Sequence, residues 1–193
     1  MRLSLGLGLI YLISEGLLSI TRRGRSKTGA KQDRSTLSVI WLVIAGSIAA
    51  GVYVARSTSL RAGPDSIFML PRADVFAVAG VVLFSAGLLL RWWAIVTLGR
   101  FFTVDVVVEK DHEVVERGPF RMVRHPSYAG VLLAFVGFAL TLRNWGAILV
   151  VLVPIFVAFI HRMNVEEEAL GRALGDKYVA YMRRTKRLIP GLY

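Results

Sequence analysis

Residues 126–160 have the sequence PSYAGVLLAFVGFALTLRNWGAILVVLVPIFVAFI, and this stretch decides the fold. It holds two long apolar runs, Tyr128–Leu142 and Trp145–Ile160, which are separated only by Arg143 and Asn144. A helix needs roughly 20 mainly apolar residues to cross a bilayer, and a connection this short makes two consecutive helices antiparallel. The sequence therefore predicts a helical hairpin in a membrane.

Three further apolar runs precede this hairpin. Leu37–Ala55 is uninterrupted, Val75–Leu98 carries only Arg91, and Leu3–Ile20 is the weakest run because Glu15 lies within it. With 55% hydrophobic residues and a mean hydropathy of +0.58, the chain is too apolar for an ordinary soluble domain of 193 residues. We expect an all-α membrane protein with about five transmembrane helices and a C-terminal amphipathic cytoplasmic helix.

Two points on these runs stay open at the level of sequence. A cleaved signal peptide is the alternative for Leu3–Ile20, although Glu15 and the lack of a clean small-x-small cleavage pattern favour a membrane helix. Arg91 lies about two turns from the end of its run, beside two tryptophans. It either snorkels to an aromatic belt at the interface or turns inward to pair with an acid, and we weigh these alternatives equally.

The basic residues alternate along the chain. The formal net charge is +11, and the Lys and Arg residues crowd the first and third connections and the tail, whereas the second connection and the hairpin tip hold few. By the positive-inside rule this predicts five spans, with the third connection and the tail in the cytoplasm. The charge then reflects topology and attraction to anionic membrane lipids, so we expect no nucleic-acid partner.

The cysteine count and the histidine spacing exclude some kinds of chemistry. The chain has no cysteine, which excludes disulfides and thiolate catalysis. The three histidines, His112, His125 and His161, show no metal-ligand spacing, and we expect no metal site.

We divide the chain into two parts that form one compact unit. Residues 1–60 hold two membrane helices, and residues 61–193 hold three more together with the third connection and the tail.

Two polar segments flank the hairpin. Residues 118–130, GPFRMVRHPSYAG, place His125 just before Pro126, which is a typical helix start, and the positive end of that helix suits an anionic group. Residues 162–168, RMNVEEE, follow the last apolar run, and Glu166 and Glu167 are about 100° apart on a helix. Alone, these are a helix-capping turn and a solvated charged face. Because a hairpin returns both segments to one membrane face, we expect them to meet, with one glutamate inward and the other toward solvent.

The C-terminal tail continues this pattern. Residues 165–184 form a charged helical pattern with an apolar face made of Leu170, Leu174, Tyr178 and Tyr181, and Pro190 and Gly191 end it. This pattern predicts that the fifth membrane helix continues into an amphipathic helix.

Together these motifs resemble the isoprenylcysteine carboxyl methyltransferase family, integral-membrane enzymes related to phospholipid N-methyltransferases. The resemblance rests on residues 118–130, on Glu166-Glu167-x-x-Leu170, on Gly175-x-x-Tyr178-x-x-Tyr181 and on Arg187-Leu188-Ile189-Pro190. It covers about the C-terminal half, from Arg91 onward, and the first two runs match only in hydropathy. One departure is Thr185-Lys186, where the family often has Val-Pro.

The resemblance implies S-adenosylmethionine as cofactor, a site near the cytoplasmic face and a lipophilic substrate that enters from the bilayer. The residues it assigns to the cofactor are His125, Pro126, Tyr128, Glu166, Glu167, Tyr178, Tyr181 and Leu188. The residues it suggests for catalysis and substrate orientation are Arg162, Glu167 and Arg187, with Arg184 as a further candidate.

The resemblance leaves three functions to weigh. The first is methylation of the carboxylate of a lipophilic, isoprenylcysteine-like substrate, which needs no base because a carboxylate is ionised at neutral pH. The second is N-methylation of a phospholipid or other lipid amine, which needs a base such as His125 or a glutamate. The third is a non-catalytic membrane scaffold that keeps the fold.

Overall fold

The computed structural model describes residues 2–22, 34–62, 67–102 and 113–193. These ranges form six α-helices and two short 3-10 helices, at Gly99–Phe101 and Gly118–Arg121, and they contain no strand beyond isolated bridges. The α-helices are α1 Arg2–Arg22, α2 Arg34–Ala62, α3 Ala73–Leu98, α4 Pro126–Thr141, α5 Trp145–Leu174 and α6 Asp176–Arg184. The prediction of an all-α fold is confirmed. Most of the basic first connection (23–33) and His112 lie outside the described residues.

The helices coincide with the five predicted apolar runs. Within the described ranges, three segments are long and apolar enough to cross a membrane, namely Ser38–Arg61, Asp74–Leu98 and Trp145–Leu174. The helices α1 and α4 contribute shorter apolar segments, Leu3–Leu18 and Pro126–Thr141.

The α4–α5 hairpin forms as predicted. Asn144 caps α5, since its side-chain oxygen accepts from the Ala147 N–H at 2.8 Å. Arg143 adopts a left-handed conformation, with φ 57°, and its carbonyl accepts from the Leu70 N–H at 3.0 Å. The segment before α3 therefore fixes the hairpin tip.

The tail differs from the continuous helix that the pattern predicted. The helix α5 runs without a break from Trp145 to Leu174, but Gly175 then takes φ 56°, and α6 begins at Asp176. A positive φ is available to glycine at no steric cost, so Gly175 allows the chain to change direction there. This change of direction lets α6 pack back on the polar end of the bundle.

Glycines allow α3 and α4 to pack closely. A Cβ on Gly137 would lie 2.4 Å from both the Gly80 carbonyl oxygen and the Phe84 nitrogen, and one on Gly130 would lie 2.6 Å from the Gly87 oxygen and the Arg91 nitrogen. The two glycines on each helix are seven residues apart, which is two turns, and this keeps them on one face. Small residues at such contacts let membrane helices approach backbone to backbone.

This contact predicts that Gly137→Ala lowers the free energy of unfolding by about 1–3 kcal/mol, because the new methyl group must push α3 and α4 apart. The matched control is Gly46→Ala, since a Cβ on Gly46 meets nothing within 4 Å. Denaturant titration in detergent measures both variants. Equal stability of the two would contradict the close contact.

An ion pair joins α1 to α3 inside the bundle. The Arg91 guanidinium donates from Nε to Glu15 Oε1 at 2.6 Å and from Nη2 to Oε2 at 2.7 Å. Its Nη1 donates to Ser127 Oγ, in the first turn of α4, at 3.0 Å. Arg91 therefore has the inward, paired role, and the snorkelling alternative is wrong.

Candidate active site

The C-terminal tail lies alongside the start of α4. The Arg124 N–H donates to the Lys186 carbonyl at 2.8 Å, and the His125 N–H donates to the Arg187 carbonyl at 3.0 Å. These bonds form a short parallel bridge between the two segments. Lys186 contributes its backbone carbonyl here, and the proline that the family often has at this position also has one. The departure from the family pattern therefore leaves this pairing intact.

Glu167 is the centre of a buried cluster of charges, which we call the Glu167 cluster. Its Oε1 accepts from Arg124 Nε at 2.9 Å and faces His125 Nε2 at 3.1 Å. Its Oε2 accepts from Arg187 Nη2 at 2.7 Å and from Nε at 3.2 Å. The side chain is only 9% exposed, so these partners replace the water that an ionised carboxylate would otherwise bind. The two polar segments predicted to meet do meet here, and Arg187 joins the tail to them.

The geometry assigns the His125 tautomer. A carboxylate oxygen is an acceptor, so the short contact requires the proton on Nε2. The other nitrogen, Nδ1, is 4.0 Å from Glu166 Oε2. His125 therefore lies between the two glutamates, within hydrogen-bond distance of only one.

Arg124 is a part of the cluster that sequence reasoning missed. Besides Glu167, its Nη1 donates to the carbonyls of Met182, at 2.9 Å, and Thr185. These carbonyls lie at the C-terminal end of α6, where helices favour a cation. Arg124 thus ties the end of α6 to α5. The one feature of the sequence that pointed to Arg124 is its position directly before His125 in the 118–130 segment.

Glu166 has a different environment from its neighbour. The Tyr128 hydroxyl donates to Glu166 Oε2 at 2.5 Å, and the Glu166 side chain is 28% exposed. Glu167 is the inward glutamate, as one of the two was predicted to be, whereas Glu166 is only partly exposed and also contacts α4 through Tyr128. The Tyr128 ring stacks on His125, with centroids 5.4 Å apart and planes at 12°, and meets the edge of Phe159 at 5.3 Å.

Tyr178, Tyr181 and Leu188 close the site from the tail, and all three are buried. The Tyr181 hydroxyl donates to the Phe120 carbonyl at 2.7 Å, which holds α6 against the 3-10 turn at Gly118–Arg121. Burial raises the pKa of Tyr181 to about 12 and raises the pKa of Tyr178 as well. Both phenols therefore stay neutral at physiological pH, and Tyr181 remains a donor.

The candidate arginines separate into two places. Arg162 is only 3% exposed and lies in the site, with its Nε 3.5 Å from the Tyr128 hydroxyl. Arg187 joins the Glu167 cluster and also donates to the Tyr193 hydroxyl at 3.2 Å. Arg184 pairs with Glu116 at 2.8 Å on the exposed surface. The structure thus brings Arg162 and Arg187 to the site and leaves Arg184 at its outside.

The apolar helices and the buried charge cluster at one end of their bundle define a helical membrane protein with a polar site. The predicted resemblance to the isoprenylcysteine carboxyl methyltransferase family is confirmed, since the model of that family matches residues 78–172.

Three relatives illustrate the similarity. Over 113 residues, 58% of the chain, it is 34% identical to protein-S-isoprenylcysteine O-methyltransferase B of Arabidopsis thaliana, of which it covers 57%. Over 119 residues, 61% of the chain, it is 30% identical to protein-S-isoprenylcysteine O-methyltransferase of Schizosaccharomyces pombe, of which it covers 50%. Over 102 residues, 52% of the chain, it is 30% identical to the uncharacterized protein YpbQ of Bacillus subtilis, of which it covers 58%. The chain thus spans about half the length of the curated relatives it matches.

Proposed function

We propose that this chain is an integral-membrane, S-adenosylmethionine-dependent methyltransferase that methylates the carboxylate of a lipophilic, isoprenylcysteine-like substrate. The Glu167 cluster carries the proposal, because it joins the His-Pro segment, the paired glutamates and the tail, which are the segments that resemble the family. The names of the plant and yeast relatives supply the reaction class.

The proposed topology has five membrane crossings, with residues 1–60 and 61–193 in one unit. The shorter helices α1 and α4 cross beside the three longer ones, and the polar end of the bundle faces the cytoplasm. The distribution of basic residues supports this orientation. A membrane-embedded site suits a substrate whose lipid part stays in the bilayer.

The residues at the site fit S-adenosylmethionine by the chemistry of their side chains. When bound, this cofactor would supply an electrophilic methyl group on a sulfonium, and in-line transfer of that methyl to the acceptor would release the cofactor as a neutral thioether. Glu167 already accepts four donor contacts within the chain, so we propose that it positions His125, Arg124 and Arg187 around the cofactor. Glu166 has one oxygen bonded to Tyr128 and is partly exposed, and it is the acceptor available to the cofactor's ammonium or hydroxyl groups.

The remaining proposed cofactor contacts are His125, Pro126, Tyr128, Tyr178, Tyr181 and Leu188. Buried aromatic rings favour a sulfonium through cation–π attraction. Since Tyr178 and Tyr181 remain neutral, they would attract the sulfonium through their ring faces and not through a phenolate charge.

Arg162 and Arg187 are the proposed substrate-orienting residues. A guanidinium holds a carboxylate through two parallel hydrogen bonds, which fixes the acceptor oxygen in position. The carboxylate is already ionised, so the side chains need only orient it and exclude water. No residue has to remove a proton.

Two measurements test the proposed activity. Purified protein in detergent should bind S-adenosylmethionine, and it should transfer labelled methyl groups to prenylated thioether acids from a panel that also contains lipid amines. Identification of the product as a base-labile ester assigns carboxyl methylation. Absence of cofactor binding by well-folded protein overturns the proposal, and an N-methylated product redirects it to lipid amines.

The pH dependence separates the two acceptor classes independently. With a carboxylate acceptor, whose reference pKa is about 4, kcat/KM should stay flat between about pH 6 and 9. An amine acceptor, with a reference pKa of about 10, must lose a proton first, so its rate should rise about tenfold per pH unit over the same range. A steep rise with the acid substrates would contradict proton-free catalysis.

A further inference from the structure

A second feature lies at the end of the bundle opposite the Glu167 cluster. Two grooves there share Ser4 and Val52 in their linings. The first, of about 430 Å³, is lined by α1, α2, α4 and Phe84 of α3, and the second, of about 370 Å³, lies near the hairpin tip. Both volumes are in the range of small-molecule sites. Since α4 rises about 1.5 Å per residue, Phe138 of the first groove and Thr141 of the second lie roughly 20 to 24 Å along that helix from His125.

The first groove is an apolar slot lined by aromatic rings. Its lining includes the rings of Tyr11, Trp41, Phe84, Phe135 and Phe138. Tyr11 packs on Phe135 with ring centroids 5.0 Å apart, and on Trp41 at 6.5 Å. Such walls accept a hydrocarbon chain and offer almost nothing to a polar ligand.

The second groove is cationic. Arg56, Ser59 and Arg143 line it beside Met69 and Thr141. Within the ranges that the structure describes, neither arginine is paired with a carboxylate. Two guanidiniums and a hydroxyl form a donor set that matches a phosphate group.

Arg143 is held in place for such a role. It has a φ of 57°, where a residue with a Cβ is disfavoured and a glycine would fit without strain. The hairpin tip fixes this conformation, because the Arg143 carbonyl accepts from Leu70 and its N–H donates to the Leu140 carbonyl at 3.0 Å. The backbone alone favours glycine at this position, which suggests a role for the arginine side chain.

We propose that the two grooves form one binding site for a phospholipid, with one acyl chain in the apolar slot and the phosphate between Arg56 and Arg143. The charge of the second groove is complementary to a phosphate, and its continuity with the slot lets one molecule supply both the phosphate and the chain. The site lies in the leaflet opposite the Glu167 cluster, and it does not depend on the methyltransferase activity.

Native mass spectrometry of the detergent-purified protein tests the site. Dioleoylphosphatidylglycerol should give a single saturable adduct, whereas dioleoylglycerol, which lacks the phosphate, should bind about tenfold more weakly. Inorganic phosphate at millimolar concentration should not compete, because it lacks the chain. Equal binding of the two lipids would identify ordinary annular lipid and overturn the site.

Separate variants test the phosphate-binding groove and the apolar slot. Arg56→Gln combined with Arg143→Gly should weaken the phosphatidylglycerol adduct about tenfold, and Arg143→Gly also relieves backbone strain, so the fold is kept. Ala45→Trp, which adds a ring to the slot beside Trp41, should weaken both lipids. The matched control is Arg61→Gln, an exposed arginine of α2 outside both linings, which should bind as the wild type does.

The unfolding temperature of each variant is measured by tryptophan fluorescence. Lipid binding is then compared only among variants that unfold at the same temperature as the wild type. Weakening in the arginine double variant and in Ala45→Trp, but not in Arg61→Gln, supports the site. Unchanged phosphatidylglycerol binding in a folded double variant overturns the headgroup assignment, and unchanged binding in folded Ala45→Trp overturns the chain assignment.

Discussion

Replacement of Glu167 by glutamine is expected to lower kcat/KM for methyl transfer on the order of 10²–10⁴-fold. Glutamine keeps the size of the side chain but turns an amide NH₂ toward donors on Arg124, His125 or Arg187. Breaking one partner of a buried charge cluster costs about 3–5 kcal/mol of stability, and a loss of similar size in transition-state stabilisation lowers the rate about 10²–10⁴-fold, because each 1.4 kcal/mol is about tenfold. The cluster joins the tail to the start of α4, so its loss also displaces the groups proposed to hold the cofactor.

The neighbouring glutamate provides the matched control. Glu168 is 63% exposed at its side chain and pairs with Arg172 one turn away on α5. Glu168→Gln should therefore leave kcat/KM within about twofold of the wild type, because exposed pairs contribute little. Methyl transfer and S-adenosylmethionine affinity are measured together, and His125→Ala should also abolish transfer. Full activity in folded Glu167→Gln and His125→Ala would show that the site lies elsewhere.

The placement of the site follows from simple patterns in the sequence. Hydropathy locates the helices, and a connection of two residues, Arg143 and Asn144, determines that α4 and α5 are antiparallel. The 100° step of a helix separates Glu166 from Glu167, and the structure shows that Glu167 is the inward one. Local periodicity is enough for these features because each depends on residues that are near in sequence.

Long-range contacts were beyond such patterns. The tail pairs with residues 123–125 through backbone carbonyls, and a backbone bond leaves no side-chain signal. Arg124 binds carbonyls of Met182 and Thr185, about 60 residues away, for the same reason. The seven-residue spacing of Gly130 and Gly137 is visible in the sequence, but the identity of the opposing helix is not.

Arg91 is the clearest example of this limit. A charge two turns from a helix end is compatible with snorkelling, and its partner Glu15 is 76 residues earlier in the chain. Glu15 marked α1 as the weakest apolar run, yet in the fold it compensates the charge on α3. Two unfavourable features of the sequence therefore form one favourable contact once the helices pack.

This contact predicts a large and strongly coupled effect on stability. Glu15→Gln leaves the Arg91 guanidinium without its counter-charge inside the bundle, and it should lower the free energy of unfolding by about 3–5 kcal/mol. The double variant Glu15→Gln with Arg91→Gln removes both charges, and it should be more stable than Glu15→Gln alone by roughly 2 kcal/mol. Denaturant titration in detergent measures the single and double variants as a cycle.

An exposed pair of the same chemistry supplies the comparison. Arg184 and Glu116 are 62% and 44% exposed at their side chains, and the cycle through Glu116→Gln and Arg184→Gln should give a coupling of at most about 1 kcal/mol. The Glu15–Arg91 coupling must exceed this value if burial gives the pair its strength. A double variant as unstable as the sum of its singles would mean that the two charges do not compensate each other, and that α1 is held to α3 and α4 by apolar packing alone.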